Sequence, residues 1–236
     1  MPQFVLLLAG LLLASPAPPQ DVLSYRQFGP RLAAVRIKNW TSGYKQPGPA
    51  VSGSGTLTAV DGKAGLVVTA AHLFEGKIGP ITVEFKDGQV SGATMLAIDR
   101  KLDVAALWVY APKGIDPVPI ADHNPKLGEQ VEIWGYGPKR FRSFAAKISS
   151  PIPMDGDTPQ ALVAAQGVQD KEVTIPGDSG GPIVSDGKLV AIHWGYRGGV
   201  GDPRRCVHAV GCDKLRDWLK AELSPKMWSR TVALVH

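Results

Sequence analysis

The stretch GSGTLTAVDGKAGLVVTAAH (residues 53–72) governs how the rest of this chain is read. Two runs rich in Leu, Thr and Val flank Asp61-Gly62. An Asp-Gly pair between β-forming runs marks a tight hairpin, because Gly accepts the positive φ that the turn demands. Outward from there the same grammar recurs, in LAAVRI (32–37), ITVEF (81–85) before Asp87-Gly88, ATMLAI (93–98) and DVAALWV (103–109). Further runs follow at 130–134, 145–148, 161–165, 182–184, 189–193 and 206–210. Short, regularly spaced strands predict an all-β barrel or sandwich. Residues 112–126 hold four Pro and little periodicity, so they read as a connector between halves at 31–111 and 127–212. After Asp213, the helical spacing of Leu215, Trp218, Leu219 and Leu223 predicts one helix, which extends the second unit to 127–223 and leaves 224–236 as a tail.

Composition removes whole classes. With 236 residues, 44% of them hydrophobic and 20% charged, the chain can bury a core and is neither disordered nor collagen-like. Its 27 Gly and 20 Pro suit many turns. The net charge of +5 comes without any long Lys/Arg run or aromatic–basic stripe, so no nucleic acid partner is expected. The two Cys, 206 and 212, are too few for a disulfide framework. Bridging them requires a turn near Val210-Gly211, and the spacing leaves the bonded and free states equally open. The scattered His give no metal-ligand spacing, so no metal and no cofactor are expected.

Residues 4–14 (FVLLLAGLLLA) form an apolar run before Ser15-Pro16-Ala17. At this length the run suits a signal peptide, taken as residues 1–17, and falls short of the ~20 residues of a membrane-spanning helix, the lesser reading. The expectation is export, to the periplasm or outside, with no stable membrane anchor once the leader is removed.

Chemistry concentrates in GDSGGP (177–182). Three Gly around one Ser allow a backbone path on which two N–H groups can converge on a developing oxyanion, each worth about 3–4 kcal/mol in the transition state. The plainer reading is a Gly-rich hairpin with an incidental Ser. Ser is a weak nucleophile without a base. His72 ends the run VVTAAH (67–72), where a lone His is more often a capped strand end. Asp103 opens an apolar run, where it would ordinarily be a turn residue. The three together, in the order His, Asp, Ser, make a specific constellation.

On these motifs the chain resembles the trypsin/chymotrypsin-like serine peptidases, and within them the bacterial HtrA/DegP-type protease domain. The Gly53-Ser54-Gly55 segment, the Asp-Gly turn, VVTAAH and the D-x-x-x-D pattern at Asp99 and Asp103 carry that second likeness, which covers roughly residues 31–223. The resemblance implies two six-stranded antiparallel β-barrels, chymotrypsin-like, with a C-terminal helix and a cleft between them. It implies Ser179 as nucleophile, His72 as base, Asp103 as the residue orienting the imidazole, and the N–H groups of Gly177 and Ser179 as oxyanion donors. His193, Trp194 and Gly195 resemble the edge that pairs with an extended substrate, Trp194 being as well suited to plain core. His193 is read there as a pocket residue, not a second base. Val173 corresponds to the floor of the specificity pocket beside Thr174, and without Asp there a small or medium apolar side chain is expected before the scissile bond.

Departures from the family matter too. Leu73 and Ile175 stand where animal members commonly have Cys, and no Arg or Lys precedes an Ile-Val-Gly-Gly start. Asp178 therefore lacks the usual freed N-terminal partner, and a buried carboxylate without one is costly. No activating cut beyond leader removal is expected. The chain ends soon after the second half, so no PDZ module is expected. The reading is a secreted serine endopeptidase acting on protein or peptide substrates, its oligomeric state open. A catalytically silent relative that binds peptides is the alternative, and a carbohydrate-binding β protein is a third.

Overall fold

A computed structural model describes residues 29–41, 51–137, 140–152, 161–165, 174–197 and 206–223. The expected leader at 1–17, Val173, residues 198–205 and the expected tail at 224–236 lie outside the described residues. A short 3-10 turn at Gly29–Ala33 leads into β1 (Ala34–Asn39), β2 (Val51–Asp61), β3 (Ala64–Thr69), β4 (Ile81–Phe85), β5 (Val90–Asp99) and β6 (Val104–Tyr110). These pair in the order β1-β2-β3-β6-β5-β4, and β4 returns to β1, closing a six-stranded antiparallel barrel.

The turns follow from the sequence. Gly62 and Gly88 carry φ of 57° and 91° in the two Asp-Gly hairpins. A third hairpin, at Asp186-Gly187, has φ of 47° and 73°, both residues left-handed as a type I′ turn requires. β1 and β4 alternate between buried and half-buried, whereas every residue of β3 is buried, which is why GLVVT reads as an unbroken apolar run.

The second set comprises β7 (Gln130–Gly135), β8 (Arg142–Ile152), β9 (Ala161–Ala165), β10 (Pro182–Ser185), β11 (Lys188–Arg197) and β12 (Cys206–Gly211). Its ladders run β7-β10-β11-β12-β9-β8 and back to β7. Helix α1 (Cys212–Glu222) follows, burying Leu215 and Trp218. Asn124 accepts from the Asp213 N–H at 3.2 Å, so the connector supplies the side-chain cap that Gly211 cannot.

The two sets share one apolar core. Trp134, Tyr136, Leu189, Ile192 and Leu215 pack with Val35, Leu57 and Phe74 of the first barrel, while Ile133, Ile148, Ile183 and Ala209 form a separate cluster in the second set. The connector ties the sets further: Val118 donates to Leu57 O at 2.9 Å, and Ala121 to Leu189 O at 2.9 Å. The open question at the cysteines is answered on one side, since Cys212 is a buried free thiol whose pKa burial and neighbouring Asp213 push up to about 11.

Candidate active site

His72 lies not on a strand but in a one-turn 3-10 helix, Ala71–Phe74, just beyond the end of β3. Asp103 directly precedes β6 with φ of 54°, a left-handed conformation that Asp tolerates better than most residues. Asp99 builds this turn by accepting the N–H groups of Lys101 (2.8 Å) and Leu102 (2.9 Å). The Asp103 carboxylate then accepts twice from one residue: Oδ1 from the His72 backbone N–H at 2.7 Å, and Oδ2 across from His72 Nδ1 at 2.8 Å. Burial disfavours charge on the ring, yet the Asp103 hydrogen bond and charge, with Glu75 adding, leave its pKa above the ordinary imidazole value.

Ser179 arrives on the turn before β10. Gly177 has φ of 102°, and a Cβ there would approach Gly137 Cα to 3.1 Å, so this position needs Gly twice over. The turn's other amides are spoken for. Asp178 N–H returns to Ile175 O (3.0 Å), Gly180 N–H to His193 O (2.6 Å) and Gly181 N–H to Asp178 O (2.9 Å). Among the described residues, the N–H groups of Gly177 and Ser179 donate to no backbone carbonyl, and these are the two expected oxyanion donors. The turn abuts the His72 segment, since a Cβ on Gly180 would fall 2.8 Å from Ala70 N. No hydrogen bond joins the Ser179 hydroxyl to the His72 ring among the described residues. In ligand-free sites such contacts are often long and tighten on binding substrate.

Asp178 is fully buried. Its Oδ1 accepts from Gly137 N–H and its Oδ2 from Ile175 N–H, both at 2.9 Å, and the Arg142 guanidinium stands 3.9 Å away. Burial raises its pKa, opposed by these two hydrogen bonds and by the Arg142 charge. The partner that the sequence could not name is thus internal. Arg142 gave no signal because it lies on a different strand, and only the fold brings it there.

Thr174 is buried. Trp194 is partly buried, packing on the core and on the His208 ring at 5.2 Å, while Gly195 has open space where a Cβ would be. From Trp194 onward β11 pairs with β12 only, leaving its other edge without a strand partner among the described residues. His193 is buried rather than lining an open pocket wall. Its ring nitrogens face the backbone of Asp178 and Gly195 without reaching hydrogen-bonding geometry, and burial pushes its pKa down to about 4.

That ring should make the fold acid-sensitive. The unfolded imidazole binds a proton near 6.5 and the folded one near 4, so between these values the unfolded state holds more protons and stability rises with pH. Falling through that window should remove on the order of 3 kcal/mol. Urea midpoints measured from pH 7 to 4 should drop steeply for the wild type and less for His193→Phe. Parallel curves would show that another group controls acid unfolding.

A family model described as Trypsin-like peptidase domain matches residues 53–192. Serine protease HTRA1 of Xenopus laevis is 30% identical over 166 residues, which are 64% of this chain and 32% of that protein. The putative serine protease HhoB of Synechocystis sp. is 26% identical over 162 residues, 62% of this chain and 35% of the relative. A probable periplasmic serine endoprotease DegP-like of Halomonas elongata is 28% identical over 153 residues, 60% and 28% respectively. The chain thus spans about a third of the length of these curated relatives. Among solved structures, the active form of the Rv3671c protease from M. tuberculosis aligns with a TM-score of 0.67 at 22% identity, covering 92% of this chain and 95% of that one, a likeness of fold.

Proposed function

Because this chain belongs to the family of trypsin-like peptidase domains, we propose that it is an exported serine endopeptidase, built as a chymotrypsin-like pair of barrels and cleaving peptide bonds through Ser179, His72 and Asp103. The observation that carries the reading is the coincidence of the His72–Asp103 pair with two N–H groups, on Gly177 and Ser179, that have no backbone acceptor among the described residues.

The chemistry follows from these groups. Ser179 Oγ attacks the substrate carbonyl carbon while His72 Nε2 takes its proton, and the resulting oxyanion accepts hydrogen bonds from the two N–H groups. Collapse of the tetrahedral species breaks the C–N bond, and His72 returns the proton to the leaving amine. Water repeats the sequence on the acyl-enzyme, with His72 again the base. Asp103 holds the Nδ1–H tautomer and stabilises the imidazolium. The substrate backbone adds alongside the open edge of β11 at Trp194 and Gly195. Thr174 and Val173, the latter at the floor position by resemblance, favour a small or medium apolar residue before the scissile bond. Export follows from the leader-like residues 1–17 and agrees with the periplasmic description of one relative. Because Asp178 has its counter-charge in Arg142, no further cut completes the site.

The test is labelling of the secreted protein with a fluorophosphonate, followed by mass spectrometry of the modified peptide and N-terminal sequencing of the labelled chain. Phosphonylation of Ser179 in a chain beginning between Ser15 and Asp21 is expected. No labelling would favour the silent, peptide-binding alternative, and labelling only of a shorter chain would mean that activation requires a cut.

A further inference from the structure

Gly53-Ser54-Gly55 opens the run before the first Asp-Gly hairpin, and none of the catalytic steps passes through it. Its middle residue occupies a singular place. Ser54 lies in β2, is 1% exposed, and has its N–H and hydroxyl engaged across the junction of the two strand sets and its carbonyl engaged within the first. Its backbone N–H donates to Ser179 O at 2.7 Å. Its hydroxyl donates to Gly177 O at 2.7 Å and accepts from Tyr136 N–H at 2.8 Å. Its carbonyl accepts from Thr69 Oγ1 at 2.6 Å, three residues before His72.

From this geometry we propose that Ser54 is a positioning residue for peptide hydrolysis, holding the Gly177–Ser179 turn in its oxyanion-binding shape and in register with His72. The inference rests on the peptidase reading given above. Two of the turn's carbonyls, on Gly177 and Ser179, are drawn to β2 by one residue. The amides of Asp178, Gly180 and Gly181 are engaged elsewhere, and the N–H groups of Gly177 and Ser179 are what remains. Without the hydroxyl, Gly177 O and Tyr136 N–H lose their shared partner, and the Gly177 peptide can rotate about a residue with no side chain to restrain it. The same residue reaches the base through Thr69, so nucleophile and base are spaced by one set of short contacts rather than by the packing of two barrels at large.

Gly53 serves this arrangement. A Cβ at residue 53 would lie 2.8 Å from Ser179 O and 2.5 Å from the Leu73 side chain, so β2 could not come this close to the turn with a larger residue there.

The test compares full-length wild type, Ser54→Ala, Ser54→Thr and Thr58→Ala. Thr58 is a buried hydroxyl on the same strand that donates to Leu66 O at 3.3 Å, away from the turn, and serves as the control for losing a buried hydroxyl. Losing an oxyanion donor outright typically costs about 10²–10³ in kcat, so loosening the turn that presents two of them should cost about 10- to 100-fold. Ser54→Ala should show that fall in kcat and in the rate of fluorophosphonate labelling, with KM within about twofold and the acid limb of the pH–rate profile in place. Ser54→Thr should recover part of the loss, and Thr58→Ala should keep wild-type kcat even if both alanine variants melt earlier. A Ser54→Ala enzyme with wild-type kcat, or kcat losses that match in Ser54→Ala and Thr58→Ala, would overturn the inference while leaving the peptidase reading intact. A wild type that neither hydrolyses peptides nor labels would overturn that reading, and this inference with it.

Discussion

Ser179→Ala is expected to lower kcat for peptide hydrolysis by about 10⁶-fold, the scale seen when a serine peptidase loses its nucleophile, and to leave the fold undisturbed. The two halves of this expectation have separate causes. The bonds that hold residue 179 in place are main-chain ones, with its carbonyl accepting from Ser54 N–H at 2.7 Å, so Ala keeps them. Its hydroxyl makes no hydrogen bond to His72 in the ligand-free chain, so removing it leaves no buried group unsatisfied at that ring. The melting temperature should therefore shift by no more than a degree or two. The Gly177 and Ser179 N–H groups also survive, so a residual rate above that of the uncatalysed reaction should remain. Stopped assays on a fluorogenic peptide, with a scan of thermal unfolding beside them, check both parts. A variant that keeps a tenth of the activity would exclude Ser179 as the nucleophile.

The second large effect belongs to Asp103→Asn, for which a loss of about 10⁴ in kcat is expected. Asn is a fair test because it accepts the left-handed φ of 54° at this position as readily as Asp does. The carboxylate, however, is asked to accept twice from His72, and a carboxamide has one accepting oxygen. If the oxygen keeps the backbone N–H, the NH₂ faces Nδ1, and the ring must then carry its proton on Nε2, where the Ser179 proton should go. If the amide turns over, its NH₂ meets a backbone N–H and the turn loosens. The first outcome withdraws the base, and the second keeps the tautomer but loosens the turn that holds the ring. Removing the Asp103 charge also removes the larger part of what raises the His72 pKa, leaving Glu75, so the acid limb of the pH–rate profile should move to lower pH in whatever activity remains. A small loss with an unmoved limb would mean that Asp103 is an ordinary turn residue.

The legible part of this molecule was local. Asp61-Gly62 and Asp87-Gly88 specify their turns through two adjacent residues, and the helix after Gly211 is written in four apolar positions. The strand at 64–69 was also plain, because a strand buried on both faces has no polar residue to break its run. The His72 segment reads as the end of that strand but forms a 3-10 turn, since its N-cap, Ala70, offers no side-chain cap and its shape depends on the bond from His72 N–H to Asp103, 31 residues on. Arg142 and Ser54 were hidden for the same reason. Nothing in the neighbourhood of Arg142 says that Asp178 will lie beside it, and a Ser in a Gly-rich strand start looks like flexibility until Gly177 O is seen at its hydroxyl. Asp99 was quoted as one end of a pattern, and its work of bending the chain toward Asp103 emerged only with the hydrogen bonds to Lys101 and Leu102.

The thiol of Cys212 is the first residue of α1, fully covered, and reluctant to ionise. Thiolate, not thiol, reacts with alkylating reagents, so in the closed molecule this sulfur is protected both by lack of access and by charge. Its modification must wait until the helix lifts from β11 and β12. In a Cys206→Ser background, where it is the sole sulfhydryl, the rate at which iodoacetamide consumes it becomes a clock for that excursion.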